Sequence, residues 1–138
     1  MRDRKPCVSL REQEALALWV MKLIATHHYG GQPHWTLDQL ARHLLIPEVL
    51  VNDVLAALEQ AGLLKKSADL EPQYLPARPF DVTCVHEVLR AVRTFKDDGL
   101  VSGKLGEHDI VAELMQGIDS ATSQLLSPRL IKELAVRG

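Results

Sequence analysis

The sequence predicts a mainly α-helical fold with a small β-hairpin wing, a winged helix-turn-helix carrying a C-terminal helical extension. Three observations predict it. Two capping signatures, Ser9-Leu10-Arg11-Glu12 and Thr36-Leu37-Asp38-Gln39, open helices. A third helix is followed by two short extended runs joined by a polar turn. Glycine and proline pairs punctuate the chain between these elements.

The first helix starts at the Ser9 box, where the hydroxyl accepts from a first-turn amide and Glu12 reaches back. Between Ala15 and Ala25 every residue except Lys22 is apolar. A helix apolar nearly all round is buried on more than one side, in the core or between subunits. Gly30-Gly31 and then Pro33 end it. The second helix follows the Thr36 box, with Leu37, Leu40, Ala41 and Leu44 at helical spacing and Trp35 as a hydrophobic staple. Ile46-Pro47 breaks it, and Pro47 suits the first turn of the third helix, where its missing amide costs nothing. That helix carries an apolar face of Leu50 or Val51, Val54, Leu55 and Leu58, and Gly62 terminates it.

Leu63 to Lys66 and Gln73 to Leu75 form the hairpin, ended by Pro76 and Pro79. Thr83 is the expected N-cap of a fourth helix from about Cys84 to Thr94. Ile110, Val111, Leu114, Met115 and Ile118 mark an amphipathic helix, and Ser127-Pro128 starts a last short one. The expected organisation is a basic lead over 1–8, a winged helix over 9–94 and a loop over 95–106. The extension over 107–138 is expected to pack on the first helix. Short helix, tight turn, second helix and hairpin is the winged helix-turn-helix order.

Composition agrees with one ordinary domain. The chain has 138 residues, 46% hydrophobic and 25% charged. At that size roughly 68–70% of the unfolded surface is buried, so neither disulfide nor metal is needed for folding. Two cysteines, Cys7 and Cys84, make no disulfide framework and suit a reducing cytoplasm. No secretory signal is legible in the basic segment from Met1 to Leu10, and no run of 18 apolar residues spans a membrane. Aromatic residues, at 4%, are too few for the stacking platforms of single-strand binders.

The segments Thr36-Leu37-Asp38-Gln39-Leu40-Ala41, Leu45-Ile46-Pro47 and Leu58-Glu59-Gln60-Ala61-Gly62-Leu63-Leu64 resemble the frame of winged-helix regulators. The continuation Tyr74-Leu75-Pro76-Ala77-Arg78-Pro79 narrows the likeness to two groups. One is the IscR/NsrR-type iron–sulfur transcription regulators. The other is the cytoplasmic C-terminal domain of the YihY/BrkB membrane proteins, long labelled ribonuclease BN. The similarity runs from Ser9 to Leu134. The regulators of the IscR type carry three clustered cysteines after the fourth helix; Phe95 to Gly106 here contains none. A cluster needs thiolate ligands within reach, so that switch is missing.

Charge separates the two groups further. The overall balance is only −2, whereas a duplex-wrapping protein usually carries a basic excess. Between Thr36 and Gly62, Arg42 stands against Asp38, Glu48, Asp53 and Glu59, a local net of −3. Phosphate binding depends on cations, so an acidic third helix argues against DNA. Asn52 alone suits adenine recognition. Lys65, Lys66 and Arg78 lie on or beside the wing, as candidate contacts to phosphate, a lipid head group or a partner. Arg2, Arg4 and Lys5 fit the positive-inside bias after a spanning helix. Leu18, Trp19 and Ile118 are the candidate dimer contacts.

No enzyme chemistry is legible. There is no Ser/His/Asp order, paired-carboxylate motif or Walker ending. His27, His28, His34 and His43 cluster in sequence, but adjacent histidines point to different helix faces, and no metal site is expected. Cys84 is expected as a small buried residue; at a helix start its thiolate would be dipole-stabilised, which is the redox-sensor alternative. No cofactor is expected. The residues and the resemblance together imply a non-catalytic interaction or regulatory domain, the cytoplasmic part of a YihY/BrkB-type inner-membrane protein, with a protein partner or itself as dimer. The alternative is a dimeric DNA-binding regulator of the IscR/NsrR type without a cluster.

Overall fold

The computed structural model describes residues 8–95 and 109–137. Helix α1 spans Leu10–Tyr29, α2 Leu37–Leu44 and α3 Glu48–Gln60. Strands β1 (Leu64–Lys66) and β2 (Tyr74–Pro76) follow, then α4 (Val85–Thr94), α5 (Ile110–Leu126) and α6 (Ile131–Arg137).

Both capping boxes form. Ser9 Oγ accepts from the Glu12 amide at 3.1 Å while Glu12 accepts from the Ser9 amide at 3.1 Å. Thr36 Oγ1 accepts from the Gln39 amide at 3.2 Å and Gln39 takes the Thr36 amide at 3.1 Å. Each box satisfies first-turn donors that the helix itself cannot. Helix α2 stops just before Ile46-Pro47, its C-cap Leu45 sitting in the left-handed region at φ 57°, ψ 42°. Pro47 is the N-cap of α3 rather than a residue of its first turn.

The core forms where α1 crosses α3, α4 and α6. Ala17, Val20, Met21 and Ile24 of α1 are fully buried with Val51, Leu55 and Leu58 of α3, Val88 of α4 and Ile131 of α6. Each such large side chain contributes roughly 1.5–3 kcal/mol of transfer free energy. Leu18 is half-buried and packs on this cluster.

The hairpin is antiparallel, pairing Leu64 with Pro76, Lys65 with Leu75 and Lys66 with Tyr74. The strand before α2 joins it: Thr36 bridges Gln73, and the Tyr74 amide donates to Trp35 O at 2.9 Å. The wing is thereby anchored to the helix-turn-helix rather than hanging from its own loop. The loop is closed by Ser67, whose Oγ donates to Asp69 Oδ2 at 2.7 Å and accepts from the Gln73 amide at 2.9 Å.

The extension divides. Helix α6 packs on α1, and its entry is tied to the start of α4: the Val85 amide donates to Arg129 O at 2.8 Å and the Ile131 amide to Thr83 O at 2.9 Å. Helix α5 touches α4 and buries no residue fully, with Leu126 at its end packed against the core.

Candidate functional site

The third helix presents Glu48, Val49, Asn52 and Gln60 to solvent, with the apolar face turned inward. Asn52 is exposed on the outer face of this helix. Val49, passed over in the sequence, lies exposed one turn before Asp53. An apolar side chain here is the type that meets a thymine methyl.

The acidity of this helix is partly matched by its surroundings. Glu59 Oε1 lies 3.8 Å from Lys66 Nζ on the wing, and Asp38 pairs with Arg42 at 3.0 Å across one turn of α2. Glu48 sits in the first turn, where the helix dipole favours a carboxylate. The count between Thr36 and Gly62 already includes Arg42 but leaves out Lys66, which meets Glu59 from a neighbouring strand. Lys65 is exposed on β1 and Lys66 beside it is half-engaged. At the wing tip Leu70 is 102% exposed.

Arg78 is not on this surface's free edge. Its guanidinium donates to Glu87 Oε1, and Glu87 Oε2 accepts from the Cys84 amide at 2.9 Å and from the Cys84 thiol at 3.3 Å. Cys84, not Thr83, is the N-cap of α4; Thr83 is buried and donates to Pro79 O at 2.9 Å. Burial opposes ionisation of Glu87, but the hydrogen bonds from Arg78 and Cys84 prevail and hold its carboxyl below the ordinary value. The thiol moves the other way. Burial, then the hydrogen bond to Glu87 and its charge, push Cys84 up, which overrides the helix dipole that would favour thiolate. Arg2, Arg4 and Lys5 lie outside the described residues.

A second surface is apolar. Helix α5 meets α4 across a polar seam that includes Gln116, Ser120 and Ser123 of α5 and His86 and Arg90 of α4. Its opposite side exposes Val111, Leu114, Ile118 and Leu125. With Ala121 these fall on the a and d positions of a heptad repeat, the seam of a two-helix coiled coil. Ile118 lies at the centre of this stripe. Trp19 is 56% exposed on α1 and flanks an apolar groove of about 390 Å³ with Val8, Ala15, Ile46 and Leu50.

Trp35 is held from behind, its indole N–H donating to Leu23 O at 3.0 Å. His27 stacks on it at 4.4 Å between ring centroids and His43 meets its edge at 5.2 Å. The turn Gly30 to Pro33 also folds His34 back against His28, with Nδ1 of one 3.4 Å from Nε2 of the other. The two histidines lie in the cluster seen in the sequence, but their pairing depends on the left-handed Gly31 at φ 68°. Among the described residues no group of three or more His, Cys, Asp or Glu is arranged to hold a metal ion.

No protein-family model and no curated protein matches the chain. Solved structures do. CymR, the global cysteine regulator of B. subtilis, matches with a TM-score of 0.66 at 20% identity, over 97% of this chain and 99% of that one. The oxidized form of Staphylococcus aureus CymR matches at 0.65 and 17% identity, over 93% and 96% of the two chains. IscR of T. potens matches at 0.64 and 18% identity, over 96% and 89%. The membrane-protein resemblance finds no support in these comparisons, and no described helix is long and apolar enough to cross a membrane. At these identities the likeness is one of fold: the chain has the winged-helix architecture of the CymR and IscR structures, from its first helix through its C-terminal helices.

Proposed function

We propose that the chain is a dimeric, DNA-binding transcription regulator that works without an iron–sulfur cluster. One observation carries the reading: the similarity to CymR and IscR extends over nearly the whole of both chains. A winged helix alone is shared by many proteins; the match here also takes in the helices after the wing, since it covers 97% of this chain and 99% of the CymR chain. This reverses the weight that the acidic third helix gave against DNA.

In this reading the first turns of α3 enter the major groove, with Asn52 suited to adenine and Val49 to a thymine methyl. Lys65 and Lys66 hold the backbone from the wing, and Leu70 at its tip meets the minor groove, where apolar wedges are used. Two copies join through the heptad face of α5, so the two recognition helices address a palindromic site. With only Cys7 and Cys84 in the chain, three cysteine ligands for a cluster are lacking. Such a regulator works in the cytoplasm, where the genome is.

The test is selection from a random duplex pool by the full chain, followed by salt-titrated binding. The expected result is enrichment of a palindrome whose half-sites lie about one helical turn apart. Its affinity should fall steeply with salt as counterions are released. A chain that is monomeric and enriches no duplex overturns the proposal.

A further inference from the structure

The two imidazoles at the end of α1 carry chemistry that the DNA-binding reading does not use. His28 is exposed on the last turn of α1, and His34 is half-buried six residues later. The intervening turn is fixed from both sides. The Gln32 amide donates to His27 O at 2.9 Å, and His27 Nδ1 donates to Pro33 O at 2.9 Å. His28 Nδ1 and His34 Nε2 are left facing each other at 3.4 Å, with their ring centroids 5.7 Å apart.

That separation is a metal-ligand spacing. Two nitrogens each about 2.05 Å from one Zn²⁺ at the tetrahedral angle are about 3.3–3.4 Å apart. Square-planar or octahedral ligands at a right angle would stand closer, at about 2.9 Å. We infer that His28 and His34 chelate a divalent cation of the Zn²⁺ class, with water completing the tetrahedron. The proton now shared between the two rings moves to the far nitrogen of its own ring, so both facing nitrogens offer lone pairs. Both rings must be neutral to serve as ligands, so binding should weaken as the pH falls through the histidine range.

The groups around the pair are the rings of Tyr29 and Phe80, which meet His28 edge-on at 5.4 and 5.9 Å. Beyond them Lys132 Nζ lies 5.8 Å over the Tyr29 ring, and Asp81 acts electrostatically on Tyr29. His34 directly precedes Trp35, whose carbonyl takes the Tyr74 amide of the wing. A cation here clamps α1 to the strand on which the wing is anchored. The site is independent of the DNA-binding reading and is tested without DNA.

The experiment titrates the tag-free full chain with Co²⁺, whose tetrahedral complexes absorb strongly in the visible, and then displaces it with Zn²⁺. One Co²⁺ per chain is expected, with a rise in melting temperature on adding Zn²⁺. His28→Gln and His34→Gln should each abolish both signals, and His43→Gln and His86→Gln should retain them. Absence of binding to the parent chain, or binding that survives both His28→Gln and His34→Gln, overturns the proposal. Imidazole NMR of the parent chain covers the case of a variant that folds poorly. Zn²⁺ must shift the His28 and His34 ring resonances, and shifts confined to other histidines overturn the assignment.

Discussion

The carboxylate of Glu59, at the end of α3, stands 3.8 Å from the ammonium of Lys66 on the first strand of the wing. The contact joins the two elements that a winged helix lays on DNA. Both side chains are more than a third exposed, so the pair itself adds little stability, about 0.2–1 kcal/mol at most. Under the proposed DNA-binding function its larger effect is on that binding, because it diverts a cation from phosphate. Glu59→Gln is expected to tighten duplex binding and to steepen the slope of log affinity against log salt by about one. Lys65→Ala with Lys66→Ala should flatten that slope by about two. A salt titration of the three proteins on one duplex measures both.

The heptad face of α5 makes a prediction about assembly. Ile118 is 53% exposed in the single chain and central in the stripe from Val111 to Leu125. Ile118→Glu should weaken dimerisation by about 30-fold or more, the effect of an interface hot spot worth ~2 kcal/mol. Leu18→Ala should leave the dimer constant nearly unchanged and lower stability instead, since Leu18 packs on the core. Sedimentation equilibrium separates the two outcomes.

The cap of α4 predicts an acid dependence. Glu87 receives the Cys84 amide and the Arg78 guanidinium, and its carboxyl titrates below the reference value of 4.5. A carboxyl depressed in the folded state stabilises the fold fully above its unfolded value and loses that contribution as pH falls through the folded one. Glu87→Gln should therefore cost about 1 kcal/mol at neutral pH, the usual scale of a lost cap. The gap between parent and variant should close as pH drops below about 4.5. Urea unfolding at a series of pH values tests this.

Leu45 predicts a gain. It holds a left-handed conformation that costs a non-glycine residue roughly 1–2 kcal/mol, and at 89% exposure it has no packing to lose. Leu45→Gly should raise stability by about 0.5–1 kcal/mol, after allowing for the greater freedom of glycine in the unfolded chain. Thermal unfolding reads the difference.

How far the sequence was legible depended on the range of the interaction. The Ser9 and Thr36 boxes are local patterns, and both form as read. The hairpin and the apolar faces of α1 and α3 follow from short-range punctuation and period. The N-cap of α4 was misplaced by one residue, because Thr83 looks like a cap but is drawn into the core by Pro79 O. The pairing of Glu59 with Lys66 and the capture of Arg78 by Glu87 join residues that are distant in pattern, so neither is legible from counting charges along the chain. The His28–His34 pair was invisible for a sharper reason: helical spacing sets adjacent histidines apart, and only the turn through Gly31 returns a later one. Leu70 was lost inside a turn read as polar, although a lone leucine among Ser67, Asp69 and Glu71 was the available signal.

The docking of α6 bears on how the protein is made. Ile131 is fully buried in the same core as Met21 and Leu55, and the turn before it is bonded to Thr83 and Val85. A chain emerging from the ribosome exposes the apolar face of α5 before this piece arrives to complete the core. Folding of the winged helix is thus finished only when residue 131 and its neighbours are free. Nascent chains stalled before that point would present an unsealed α1 together with an unpaired α5, the combination most prone to premature association.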